Sequence, residues 1–130
     1  MAYDRQKSKD AIDELIKKER EHIKDLKKRI EERKADKLPV DHLEKAVEDE
    51  ERKINGKEEI RERVDGFSSI GTIDAYITAE QKAVDDGKAE LAKLRGKSPK
   101  PQDEIDKLDR LVHLLEKQIE GKKEAKGAIV

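Results

Sequence analysis

Asp41–Glu59 reads DHLEKAVEDEERKINGKEE, and Asp106–Glu124 reads DKLDRLVHLLEKQIEGKKE. At an offset of 65, Asp41, Leu43, Val47, Glu51, Ile54, Gly56, Lys57 and Glu59 recur as Asp106, Leu108, Val112, Glu116, Ile119, Gly121, Lys122 and Glu124, so eight of nineteen positions agree. Two unrelated amphipathic helices of such Lys- and Glu-rich composition would share roughly two. The preceding segment repeats at an offset of 61, where Ile12, Asp13, Ile16, Glu19, Asp25 and Lys27 become Ile73, Asp74, Ile77, Glu80, Asp86 and Lys88. The chain is a duplicated unit.

The apolar spacing says what the unit is. Ile12, Ile16, Ile23, Leu26 and Ile30 alternate steps of three and four, with Glu19 and Arg33 in the remaining slots of the same stripe. This is a heptad seam with Ile16, Ile23 and Ile30 at a, and Ile12, Glu19, Leu26 and Arg33 at d. It predicts a helix running to about Lys37. Lys37-Leu38-Pro39-Val40 breaks it, and Asp41 with Glu44 forms a capping box for a second helix that carries Leu43, Val47, Ile54, Ile60 and Val64. A phase shift at Asn55-Gly56 marks a stop or kink in that helix. Gly66-Phe67-Ser68-Ser69 separates the two units, and Phe67 is expected to plug the junction.

A third helix carries Ile70, Ile73, Ile77, Glu80, Val84, Gly87, Leu91 and Leu94, and ends at Gly96–Pro101. A fourth, capped near Asp103, carries Ile105, Leu108, Leu111, Val112, Leu114, Leu115 and Ile119, a wide face expected to be the most buried surface. Short breaks between long helices require antiparallel neighbours. The expected fold is therefore all-α: a duplicated antiparallel helical hairpin, with four long helices in two coiled-coil-like hairpins, elongated or packed as a four-helix arrangement. Residues 1–63 form the first hairpin repeat and residues 64–130 the second.

Flanking charges agree with that folding. In an antiparallel coiled coil, e positions face e positions, and folding about Pro39 pairs Lys34 with Glu44, Lys27 with Glu51 and Arg20 with Glu58. The equivalent positions of the second unit pair Arg95 with Asp109 and Lys88 with Glu116. A register one heptad away, matching Lys88 with Asp109, is also complementary; the first keeps the geometry of the other repeat. Exposed pairs of this kind set register more than stability, at no more than ~1 kcal/mol each. Within the seams, Glu19 and Glu80 are equivalent acids, and Lys57 and Lys122 are equivalent bases expected to lie near them. Their appearance in both copies suggests that they set register; the bland alternative is a hairpin end that opens to water.

Charged residues make up 48% of the chain, yet 31 basic and 32 acidic side chains leave a net charge of −1. That balance disfavours nucleic acid as a partner, since phosphate contacts need surplus Lys and Arg. Cysteine is absent, which excludes disulfides and thiolate metal sites. No apolar run approaches the ~20 residues of a membrane span, and no hydrophobic leader opens the chain, so a cytoplasmic protein without a membrane partner is expected.

Little in the sequence points to chemistry. Glu19-Arg20-Glu21-His22 has the Glu-x-x-His spacing of carboxylate-bridged metal bundles, but these need two such strings. His22 becomes Ala83 in the second unit, and neither His42 nor His113 follows a Glu by three residues. No catalytic residues, metal or cofactor are expected, and the chain is not expected to be an enzyme. The tail Lys126–Val130 is small and apolar, suited either to a free handle or to covering the hairpin ends.

Repetition and heptads point to a non-enzymatic structural, assembly or adaptor protein whose partner is a protein or a second copy in a homo-oligomer. The alternative is a small helical inhibitor or regulator that docks a hairpin on one target protein. The opening Met1-Ala2-Tyr3-Asp4-Arg5-Gln6-Lys7 resembles the start of some bacteriophage endolysins. The resemblance covers seven residues and none of an endolysin's catalytic motifs, so it implies a phage origin and no activity.

Overall fold

The computed structural model describes residues 3–130; Met1 and Ala2, the first two residues of the phage-like opening, lie outside the described residues. Four helices follow one another: α1 Arg5–Ala35, α2 Asp41–Arg63, α3 Ile70–Arg95 and α4 Gln102–Gly127, with a 3-10 turn at Val64–Gly66. No strand occurs among the described residues.

In the first half, Lys9 meets Asp65, Asp13 meets Arg61, Arg20 meets Glu58 and Lys27 meets Glu51, so one index falls as the other rises and α1 runs antiparallel to α2. The second half repeats this, with Asp74 beside Lys126, Lys88 beside Glu116 and Arg95 beside Asp109. Between the halves the sense changes. Glu48 meets Arg110, Lys53 meets Glu120 and Lys57 meets Glu124, indices that rise together, so α2 and α4 lie parallel. This parallel pair is the most extensive interface, and the helices touch in the order α1, α2, α4, α3. A single apolar cluster runs through all four, from Ile12 and Ile60 to Ile73, Val84, Val112 and Ile119.

Helix boundaries depart from the sequence expectation in instructive ways. α1 begins at Arg5, where the Asp4 carboxylate accepts the Lys7 N–H at 2.9 Å, well before the first seam residue Ile12. The capping box at Asp41 and Glu44 does not form. Val40 is the N-cap, and its carbonyl accepts the N–H groups of Leu43 and Glu44, which places Asp41 and Glu44 inside the first turn. There their charges favour the helix through its dipole. Asp103 likewise lies within the first turn of α4, behind Pro101 as N-cap. Asn55-Gly56 does not stop α2, which continues to Arg63.

The wide apolar face of α4 is only partly covered. α4 packs on both α2 and α3, which leaves Ile105, Val112 and Ile119 buried but Leu111 48% exposed. Ile70, assigned to the α3 seam, sits 42% exposed at the first position of the helix.

The base of the molecule is closed by both termini. Phe67 and Val64 are buried at the bend, and the Tyr3 hydroxyl donates to the carbonyls of both. Phe67 stacks at a tilt on Tyr76 with ring centroids 6.0 Å apart. The Val130 N–H donates to the buried Ser8 Oγ at 3.0 Å, and the Asp4 N–H donates to the Val130 carbonyl. The tail therefore covers the hairpin ends.

At the opposite end, α1 closes with a Schellman motif in which Lys37 N–H bonds to the Lys34 carbonyl and Leu38 N–H to the Arg33 carbonyl. Lys37 has a φ of 58°, a left-handed conformation that costs a residue with a Cβ about 1 kcal/mol or more. Lys37→Gly should raise stability by ~1 kcal/mol, roughly 3–5 °C in a thermal melt followed by circular dichroism. An unchanged melting temperature would show that this turn stores no strain.

Candidate functional site: two lysine clusters between the hairpins

Gly56 and Gly121 mark the place where α2 and α4 come closest. A Cβ on Gly56 would overlap the Gln118 carbonyl, and one on Gly121 would overlap the Lys53 backbone. Residues 53 and 118 are themselves repeat equivalents, so the two overlaps are one contact seen twice around a pseudo-two-fold axis along the helices. Only glycine lets the two backbones approach this far.

One residue beyond each glycine is a lysine with almost no solvent contact: Lys57 is 1% exposed and Lys122 is 0%. Lys57 Nζ pairs with Glu19 of its own hairpin and, at 2.5 Å, with Glu124 of the other. Lys122 Nζ pairs with Glu80 of its own hairpin and, at 2.6 Å, with Glu59 of the other. Each lysine thus ties three helices together. Glu19 Oε2 is buried without a hydrogen-bond partner. The lysines themselves are buried, while their carboxylate partners keep contact with water, from 16% exposure at Glu19 to 41% at Glu124.

Lys122 also sits over the Tyr76 ring, 4.6 Å from its centroid, and Arg63 covers the same ring at 4.5 Å. Burial pulls the Lys122 ammonium towards deprotonation, but hydrogen bonds to Glu59 and Glu80, with their charges, outweigh it and hold its pKa above the ordinary 10.5. Burial likewise raises the Tyr76 phenol above 10.0; Lys122 opposes this, and the charges of Glu59 and Glu80 reinforce it.

Of the flank pairs, Arg20–Glu58 closes at 2.5 Å, Lys27–Glu51 at 3.9 Å, Lys88–Glu116 at 3.5 Å and Arg95–Asp109 at 3.5 Å. The second hairpin therefore adopts the register that matches the first, rather than the one joining Lys88 to Asp109. Lys34 and Glu44 are not brought together; both are exposed beside the turn, where water competes with an ion pair at no loss of side-chain entropy. The Glu19-x-x-His22 string does not converge on a point, since Glu19 turns inward to Lys57 while His22 is exposed, with Nδ1 3.9 Å from Glu50.

Two groups of contacts lie outside the heptad pattern. Glu59 and Glu124 are the first. Each follows its lysine by two residues, and side chains two apart on a helix do not face each other, so each acid serves the lysine of the opposite repeat. Their recurrence in both copies was the available signal. The second group joins α4 to α2 nearer the turns, where Arg110 pairs with Glu48 and Asp49 and His113 Nε2 lies 3.0 Å from Asp49. Its equivalents are Lys45 and Glu48 on one side and Leu114 on the other, so this group is absent from the repeat pattern.

No family model, curated protein or solved structure matches the chain.

Breaking a buried ion pair from one side costs more than replacing its buried member by an apolar residue of similar length. Lys122→Met should change unfolding free energy by less than about 1 kcal/mol, whereas Glu59→Ala with Glu80→Ala should cost about 3 kcal/mol by strandng the ammonium in the interior. Equal losses in denaturant titrations would contradict that account.

Raised folded-state pKa values also set an alkaline limit. The stability contributed by Lys122 and Tyr76 is complete below their ordinary values of 10.5 and 10.0, and is lost as pH rises through their higher folded-state values. Melting temperature should fall above about pH 10, and the decline should be shallower in Lys122→Met with Tyr76→Phe, in melts compared between about pH 9 and 12.

Proposed function

We propose that the protein is a non-enzymatic structural or adaptor protein that acts through helical protein–protein contact. The observation that carries this reading is the use to which its buried lysines are put. Lysine works as a Schiff-base nucleophile or general base when its pKa is lowered, and at Lys122 the two flanking carboxylates drive it the other way. Both lysines serve to lock the hairpins into one frame of long helices.

A face for a partner is available on α4. Leu111 is 48% exposed and lies, at helical spacing, in one stripe with the partly buried Leu108 and Leu115. Such a face also favours the second reading, in which the protein is an inhibitor or regulator docking on one target.

A photo-crosslinking amino acid at Leu111 of the full chain, expressed in the source cell, should give one dominant adduct, and Leu111→Glu should compete poorly with it while melting like the parent. A second copy in the adduct supports assembly, and one other protein supports docking on a target. An absence of any adduct dependent on this face overturns both.

A further inference from the structure

Four contacts between the hairpins share an unusual property, which neighbouring pairs such as Lys53–Glu120 and Arg52–Gln118 do not: each joins residues that are not each other's repeat equivalents but whose equivalents make the same contact in reverse. Gly121 lies against Lys53 as Gly56 lies against Gln118, and 53 corresponds to 118. Lys57 takes Glu124 as Lys122 takes Glu59, and 59 corresponds to 124. Each lysine's remaining partner, Glu19 or Glu80, comes from its own hairpin.

It follows that the first hairpin alone contains the glycine, the backbone it packs on, the lysine and both acids. The second contains the same set. An interface in which residue i meets residue j and j meets i is the definition of an isologous contact, the kind two identical subunits make around a two-fold axis. Here it is made once, inside one chain.

We propose that each hairpin carries by itself a complete self-pairing surface, whose fitting partner is the same hairpin of a second copy of this chain. In such a pair of first hairpins, Gly56 would lie against Lys53 of the other copy, and Lys57 would be held by Glu19 and by Glu59 of the other copy. In a pair of second hairpins, Gly121 would lie against Gln118 of the other copy, and Lys122 would be held by Glu80 and by Glu124 of the other copy. Within one chain the two surfaces satisfy each other, because the short connection through Val64–Ser69 gives them a high effective concentration. Blocking one surface releases the other. The inference rests on the contacts between the hairpins and not on the adaptor reading.

The test uses the full chain. Gly121→Leu puts a side chain where the Lys53 backbone lies and frees the first hairpin, while Gly56→Leu frees the second. Light scattering after gel filtration should show each single variant at twice the mass of the parent chain at equal concentration. Adding Glu59→Lys to Gly121→Leu, or Glu124→Lys to Gly56→Leu, sets like charges against the buried lysine of the other copy and should return the mass to that of the parent. A single variant that keeps the parent mass, whether or not it retains its helical signal, overturns the proposal for the hairpin it frees. Doubling that survives the charge reversal overturns it too, since the association then does not use these contacts.

Discussion

Two lysines without solvent contact hold this molecule in its arrangement. An ammonium taken from water costs several kcal/mol even after local relaxation, and that cost is offset only where carboxylates meet it with good geometry. Lys57 and Lys122 each find two, one from each half of the chain. The halves cannot separate without leaving a buried ammonium half-paired, nor slide by a turn without losing both cross-pairs at once. A narrow apolar seam would tolerate such sliding, whereas these charge pairs would be lost by it; the apolar cluster supplies most of the stabilisation.

The glycines make that pairing geometrically possible. With Gly56 and Gly121 at the crossing, the backbones of α2 and α4 approach until no Cβ fits between them, and the lysines one residue along are sealed from water. Any larger residue at either position would push the helices apart. Close approach, burial and charge pairing are therefore one constraint, and it falls on the stretch where the two copies agree best.

Away from that stretch the copies diverge, and their environments diverge with them. Asp49 meets Arg110 and His113 across the interface, while its counterpart Leu114 is half-buried and meets no charge. Leu26, buried in the first hairpin, becomes Gly87 in the second, where the space is closed by Val112, whose Cγ2 would lie 2.8 Å from an added Cβ. Ala46 corresponds to the exposed Leu111. The frame is symmetric about the pseudo-two-fold axis and the surfaces it presents are not, so a partner meeting the α4 stripe meets it once per chain.

Local rules determined a good deal of this. The period of Ile, Leu and Val, the breaks at Pro39 and Gly96–Pro101, and the flank charges of α1 and α2 were enough for four helices, two antiparallel hairpins and the register of the first, because these depend on neighbours a few residues apart or across one turn; the flank charges of the second hairpin fit two registers, since Lys88 complements Asp109 as well as Glu116. Gly56 reads locally as a helix breaker, and Glu59, apart from its recurrence as Glu124, as one more acid in a charge-rich helix. Tertiary structure decided otherwise for both: the partner that fills the glycine's missing volume, and the lysine that claims the glutamate, lie about sixty residues away on a parallel helix. No periodicity within one helix encodes that contact. The parallel pairing of α2 with α4 had to be formed before either residue acquired its role.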